Sequence, residues 1–165
     1  MAIDFSQVKT ITIPEGSVKK ITDSAGNTLW QSASWHTIWE GNVTNYNEPS
    51  EITLATLSDL SGTVTLRVTW SCSISGGSSI PTKYYNNNGS TVTTTKPDSP
   101  FQFDLNADSY RNYIVGVTKI SDGMGRSCSF RWNNNKSFIL SGGIGRYGNG
   151  GVNLSMTVTK IEQYY

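Results

Sequence analysis

Hydrophobic and polar residues alternate with a period of two along most of this chain. The longest run is T-V-T-L-R-V-T-W-S-C-S-I-S, Thr63 to Ser75. Val64, Leu66, Val68, Trp70, Cys72 and Ile74 share one face; Thr63, Thr65, Arg67, Thr69, Ser71 and Ser73 share the other. This pattern predicts a long strand with one buried and one wet face, as in antiparallel sheets. The closing run G-V-N-L-S-M-T-V-T-K-I repeats it, with Val152, Leu154, Met156 and Val158 inward. Shorter strands are predicted at Trp35–Val43, Glu51–Leu57, Phe101–Leu105, Tyr113–Ile120, Cys128–Trp132 and Ser137–Leu140. The total of about eight suits a sandwich or jelly roll. No helix longer than a turn is predicted, and no heptads exist to build a coiled-coil shaft.

Ahead of these runs stands V-K-K-I-T-D-S-A-G-N-T-L-W, Val18 to Trp30. Two short alternating stretches flank Asp-Ser-Ala-Gly-Asn, and Gly26 can take the positive φ of a hairpin turn. Gln31-Ser32-Ala33-Ser34 is a short polar link. The expected class is all-β: an antiparallel β-sandwich or jelly-roll-like domain over residues 35–165, preceded by a small N-terminal β-hairpin within residues 1–31.

Composition reinforces the pattern. Ser, Thr, Asn and Gly supply about 70 of the 165 residues, a chain poor in helix formers and rich in β-branched and turn residues. Only 15% are charged and the formal net charge is +1, so no electrostatic footprint for nucleic acid or an anionic membrane is present. No apolar run approaches the roughly 20 residues of a membrane span. The first residues, M-A-I-D-F-S-Q-V-K, lack the basic start and apolar run of a secretory signal, so synthesis and retention in a cytoplasm, or release by lysis, is expected. Cys72 and Cys128 sit in phase with the apolar faces of their strands and are expected to be buried free thiols.

Several motifs invite chemistry and fail on context. G-I-G-R-Y-G, Gly143 to Gly148, matches the dinucleotide fingerprint, but glycines and a strand follow where a helix is required. D-L-N-A-D, Asp104 to Asp108, opens like a calcium loop yet lacks Gly at the sixth position and Glu at the twelfth, where Val115 stands. The single histidine, His36, has no Cys or second His at metal spacing, and no nucleophile elbow occurs. Glu40, Glu48, Glu51, Asp59, Asp98, Asp108 and Asp122 are scattered, with no pair marked out for glycoside cleavage. Neither catalytic residues, nor a metal, nor a cofactor are therefore expected, and the chain reads as non-enzymatic.

Aromatic residues in polar loops stand out instead. The segment from Ile74 to Pro100 is too long for a passive connector, since loops beyond roughly 12–15 residues are usually functional or mobile. Tyr84 and Tyr85 lie in it before three asparagines, Trp132 precedes three more, and Arg146 and Tyr147 sit in the glycine segment. Rings beside amide and hydroxyl groups suit sugars, so these five form the candidate glycan-binding set. Contacts between subunits, where Tyr, Trp and Arg are also enriched, are the competing explanation.

The stretch I-T-I-P-E-G-S-V-K-K-I-T-D-S-A-G-N-T-L-W, about a fifth of the chain with the residues before it, resembles the N-terminal leader of small virion proteins encoded by phages and prophages of Gram-positive gut bacteria. W-H-T-I-W-E-G-N-V-T, L-S-G-T-V-T-L-R-V-T-W and the closing V-T-K-I resemble more loosely the β-sandwich head modules of phage head and tail fibres. The resemblance implies a homotrimeric virion structural protein, a short fibre or decoration knob displayed at the virion surface after synthesis in the host cytoplasm. Its partners would be capsid or tail proteins, and host attachment through cell-surface polysaccharide is the alternative role. The hairpin would then be a docking element burying Val18, Ile21, Leu29 and Trp30, unless it covers an edge strand of its own sandwich.

Overall fold

The computed structural model describes residues 20–46, 50–86, 91–109 and 111–165. The chain divides into two compact units, Met1–Ser34 together with Tyr165, and Trp35–Tyr164.

In the first unit β1 (Lys20–Thr22) pairs antiparallel with β2 (Thr28–Gln31). Ile21 lies opposite Trp30, and Thr22 opposite Thr28, so the register slips by one and leaves Leu29 without a cross-strand partner. The turn is built by Asp23. Its Oδ1 accepts from the backbone N–H groups of Ala25 (2.9 Å) and Asn27 (2.8 Å), and its Oδ2 from the Asn27 side-chain amide at 2.7 Å. These bonds, the Asn27 side chain foremost, favour the ionised form and hold the carboxyl below its ordinary range. Gly26 takes a φ of +88°, the role expected for it. Of the four proposed docking residues, Val18 and the side chain of Trp30 lie outside the described residues. Ile21 is half-buried and Leu29 is 62% exposed.

The second unit is all-β, with two antiparallel sheets packed face to face. The larger holds six strands in the order β4 (Glu51–Thr56), β11 (Ser137–Ile144), β10 (Met124–Asn133), β9 (Arg111–Ser121), β6 (Lys83–Asn86), β7 (Thr91–Thr93). The smaller runs β3 (Trp35–Tyr46), β12 (Asn153–Tyr164), β5 (Thr63–Ser75), β8 (Phe101–Asn106). The alternation of β5 holds as expected: Leu66, Val68 and Trp70 are buried between the sheets, with Val64, Cys72 and Ile74 packed at their margin. From the other sheet come Phe130, Trp132, Phe138 and Leu140. Phe130 stacks on Phe138 (centroids 5.1 Å apart) and meets Phe103 of the smaller sheet edge-on at 6.4 Å.

The strands outrun their expected lengths where outward residues are small and polar and blur the pattern. The clearest departure is the segment after β5, expected as loop. It carries β6 and β7, whose runs of four and three residues are too short to show alternation. They form because Tyr84, Tyr85 and Asn86 find ladder partners in Val117, Gly116 and Val115 of β9. The later part of the segment lies on β5: the Trp70 backbone N–H donates to Ser99 Oγ (2.9 Å), and its indole Nε1 to the Asp98 carbonyl (3.0 Å). Asp122 and Gly123, both at positive φ (51° and 77°), close the β9–β10 hairpin in the primed geometry that suits strand twist. The glycine segment closes as a turn, with a Gly145–Gly148 bridge, and opens no helix.

Cys72 and Cys128 are free thiols, half-buried and buried respectively. Burial pushes the Cys128 thiol up to about 11 and raises that of Cys72, so both stay protonated and inert near neutrality.

Candidate functional site

Strand alternation that sends Cys128, Phe130 and Trp132 inward leaves Ser127, Ser129 and Arg131 on the outer face of the six-stranded sheet. The register then sets their neighbours. Ser129 stands between Ser141 of β11 and Gly116 of β9, and Gly116 in turn faces Tyr85 of β6. Arg131 stands between Ile139 and Tyr113. Small residues in the middle ranks and tyrosines toward the side make a concavity of about 200 Å³ lined by Tyr85, Tyr113, Ser127 and Ser129. Gly116 is needed in its floor for steric reasons: a Cβ there would come within 2.6 Å of the Cys128 carbonyl oxygen.

One wall is locked in place. The Arg131 guanidinium lies 5.1 Å from the centroid of the Tyr113 ring and donates from Nη1 to the Tyr113 hydroxyl at 3.3 Å. Its Nη2 pairs with the Glu51 carboxylate on β4. The Arg131 side chain is buried, and its Nε has no hydrogen-bond partner among the described residues. The groove therefore offers two aromatic faces and the Ser127 and Ser129 hydroxyls, neither of which is hydrogen-bonded to another described residue. Its four lining residues present ring faces and neutral hydrogen-bonding hydroxyls, and none is a carboxylate, histidine or cysteine.

The outer face of the four-stranded sheet is different. Arg67 grips Glu162 through Nε (2.7 Å) and Nη2 (3.1 Å), and Lys160 Nζ adds a third contact at 2.8 Å. Arg67 also lies 4.3 Å from the centroid of Trp35, which packs against Tyr164 at 5.2 Å. The Arg67 hydrogen bonds hold the Glu162 carboxyl down at about 2 despite its burial. This network is closed on itself. A cavity of about 110 Å³ on the same sheet is lined by Tyr46, Ser73, Ser75, Asn153, Leu154 and Ser155.

The expected glycan-binding set is only partly assembled. Tyr85 lines the groove. Tyr84, one residue away, turns inward and packs on the core, where burial raises its hydroxyl pKa. Trp132 is a correction: it is 0% exposed, its ring tilted against Phe138 with centroids 4.8 Å apart, and its Nε1 donates to the Ala107 carbonyl at 3.2 Å. It is an inward position near the end of β10, so its face is closed to any ligand. Tyr147 is 65% exposed at the glycine turn with Arg146 over its ring at 5.4 Å, and neither residue lines the groove. Tyr113, Ser127 and Ser129 were not anticipated. For Ser127 and Ser129 the signal lies in the alternation of S-C-S-F-R, which puts both serines on the face opposite Cys128 and Phe130.

The D-L-N-A-D stretch ends a strand and serves structure. Asp104 Oδ1 accepts from the Thr65 hydroxyl at 2.7 Å, and Asp108 Oδ2 from the Gly62 backbone N–H at 2.9 Å. Among the described residues no group of three or more His, Cys, Asp or Glu could hold a metal ion, and no helix is long and apolar enough to cross a membrane. No protein-family model matches the chain, and no curated protein or solved structure shows significant similarity to it.

Proposed function

We propose that the chain is a non-enzymatic structural protein of a bacteriophage particle, a short fibre or decoration knob whose sandwich is mounted through residues 1–31. The observation that carries this reading is the separateness of the N-terminal unit. Its described part is one two-stranded hairpin with an exposed, unpartnered Leu29, and such a hairpin is marginal in water without something to pack on. Capsid or tail proteins would supply that surface. Homotrimeric assembly, which repeats the contact three times, would turn a modest individual affinity into firm attachment by avidity. The virion surface is then the protein's working location.

The test is particle incorporation. Particles grown with a gene lacking codons 1–31 should carry none of the protein while the truncated chain stays soluble and folded; normal incorporation of the truncated chain would sink the reading. Sedimentation of the intact chain at micromolar concentration should give a trimer, and a stable monomer would remove the assembly claim.

The outer groove favours a second role alongside the first, attachment to host polysaccharide. Aromatic faces with serine hydroxyls between them, free of bonds to other described residues, are the chemistry that sugar rings require.

A further inference from the structure

We infer that the groove bounded by Tyr85 and Tyr113, floored by Ser127 and Ser129, binds one neutral hexose unit of a surface polysaccharide. This deepens the host-attachment reading and rests on it.

Size comes first. The cavity of about 200 Å³ falls short of the roughly 300–1,000 Å³ typical of sites for drug-sized ligands. It accommodates one ring, with the rest of a chain running out over the open sheet. Chemistry comes next. A sugar ring has an apolar C–H face, which matches the tyrosine rings, and an edge of hydroxyls that both donate and accept. The two serine hydroxyls can do the same and are not engaged with other described residues.

An extended peptide is a poor occupant. The floor strands β9 and β10 lie inside the sheet, each paired on both sides, so their backbone groups are spent on ladder bonds and cannot add a strand. An anionic ligand is a poor occupant too. The Arg131 guanidinium is already committed to Glu51 and to the Tyr113 hydroxyl, which neutralises the nearest positive charge. Lys83, exposed one rank further along and opposite Thr118, is the cation next at hand on this face.

The site is also preorganised. Arg131 fixes Tyr113 from below, and the bare backbone at Gly116 lets a mid-sheet position stay open beside Tyr85. Little ordering is then left to offset a small ligand's few contacts. Recognition of one ring should be weak, in the millimolar range, and become useful only through repeated sites on an assembly.

The test is an array of neutral and anionic saccharides, followed by NMR titration of the full chain with the best neutral hexose oligosaccharide. The expected result is selective shifts of the Tyr85 and Tyr113 ring signals. Tyr85→Ala and Tyr113→Ala should each weaken binding at least tenfold with an unchanged melting temperature, and Tyr147→Ala should leave it intact. Should either alanine variant unfold, Tyr85→Ile and Ser127→Gln alter the same groove from strand positions without deleting a wall. Binding only to anionic polymers, binding that survives every groove variant, or no saccharide binding at all would overturn the inference. Adhesion to intact Gram-positive cells separates the two levels. Cells bound equally by wild type and groove variants leave host attachment standing and remove the groove from it. A sugar bound in the groove by a protein that adheres to no cells does the reverse.

Discussion

The two units of this chain solve the problem of burying apolar side chains in opposite ways. The sandwich closes Leu66, Val68, Phe130, Trp132, Phe138 and their neighbours between two sheets. Each strand contributes one face to that core, while Tyr46, Val92, Met124, Ile144 and Tyr147 stay exposed outside it. The N-terminal hairpin has a well-made turn, held by the Asp23 carboxylate, but leaves Leu29 in solvent. Local order and burial are therefore uncoupled in the hairpin and joined in the sandwich. A segment that specifies its own shape while leaving an apolar side chain exposed is the observation on which the docking proposal rests.

The contrast breaks most visibly if the sandwich is not where the stability resides. Phe130→Ala or Trp70→Ala removes a ring from the closed core and should cost about 3–5 kcal/mol in denaturant unfolding. For Trp70 the loss also frees the Asp98 carbonyl that its indole holds. A cost below about 1 kcal/mol at either site would mean that the two sheets are not packed as a single core.

How far this division could be read in the sequence depended on what alternation can express. Where β5 carried six apolar residues in phase, strand and face were legible, and Trp70 is buried as expected. The hairpin turn was legible for a similar reason, because Asp23 and Gly26 are residues whose chemistry fixes a turn locally. Trp132 ends the predicted strand Cys128–Trp132 in phase with Cys128 and Phe130, so its place in the glycan-binding set conflicts with the inward face that the same pattern assigns it. The groove was hidden for a deeper reason. It arises from which strands become neighbours, β6 beside β9 and β9 beside β10, and period-two patterns carry faces but not strand order. Tyr85 and Gly116 are brought together only by that pairing.

A middle-sized effect distinguishes the sheets by pH. Glu162 on β12 has its carboxyl held at about 2, against an ordinary value of 4.5, chiefly by Arg67. A depressed acid contributes stability that is present in full above about pH 4.5 and lost as pH falls toward 2. On the order of 2 kcal/mol at pH 7 should belong to this network. Unfolding measured across that window should show the sandwich weakening with acid, and Glu162→Gln should flatten the decline while lowering stability at neutral pH. An unchanged slope in the variant would show that Arg67 and Glu162 are not held together in solution.

The smallest expected change in stability is the sharpest test of what the hairpin is for. Leu29 is exposed and has no cross-strand partner, so Leu29→Ser should move the unfolding free energy of the isolated protein by no more than about 0.5 kcal/mol, as surface substitutions do. Asp23→Ala, which removes the bonds to Ala25 and Asn27 that hold the turn, serves as the control. If the hairpin docks, Leu29, 62% exposed, has apolar area left to bury, at about 25 cal/mol per Å² of surface removed from water. Leu29→Ser should then lower occupancy on particles severalfold while the melting curve stays in place. A variant that melts earlier yet decorates particles normally would reverse the assignment: Leu29 would be serving the protein's own fold, and the hairpin would have no outside partner to find.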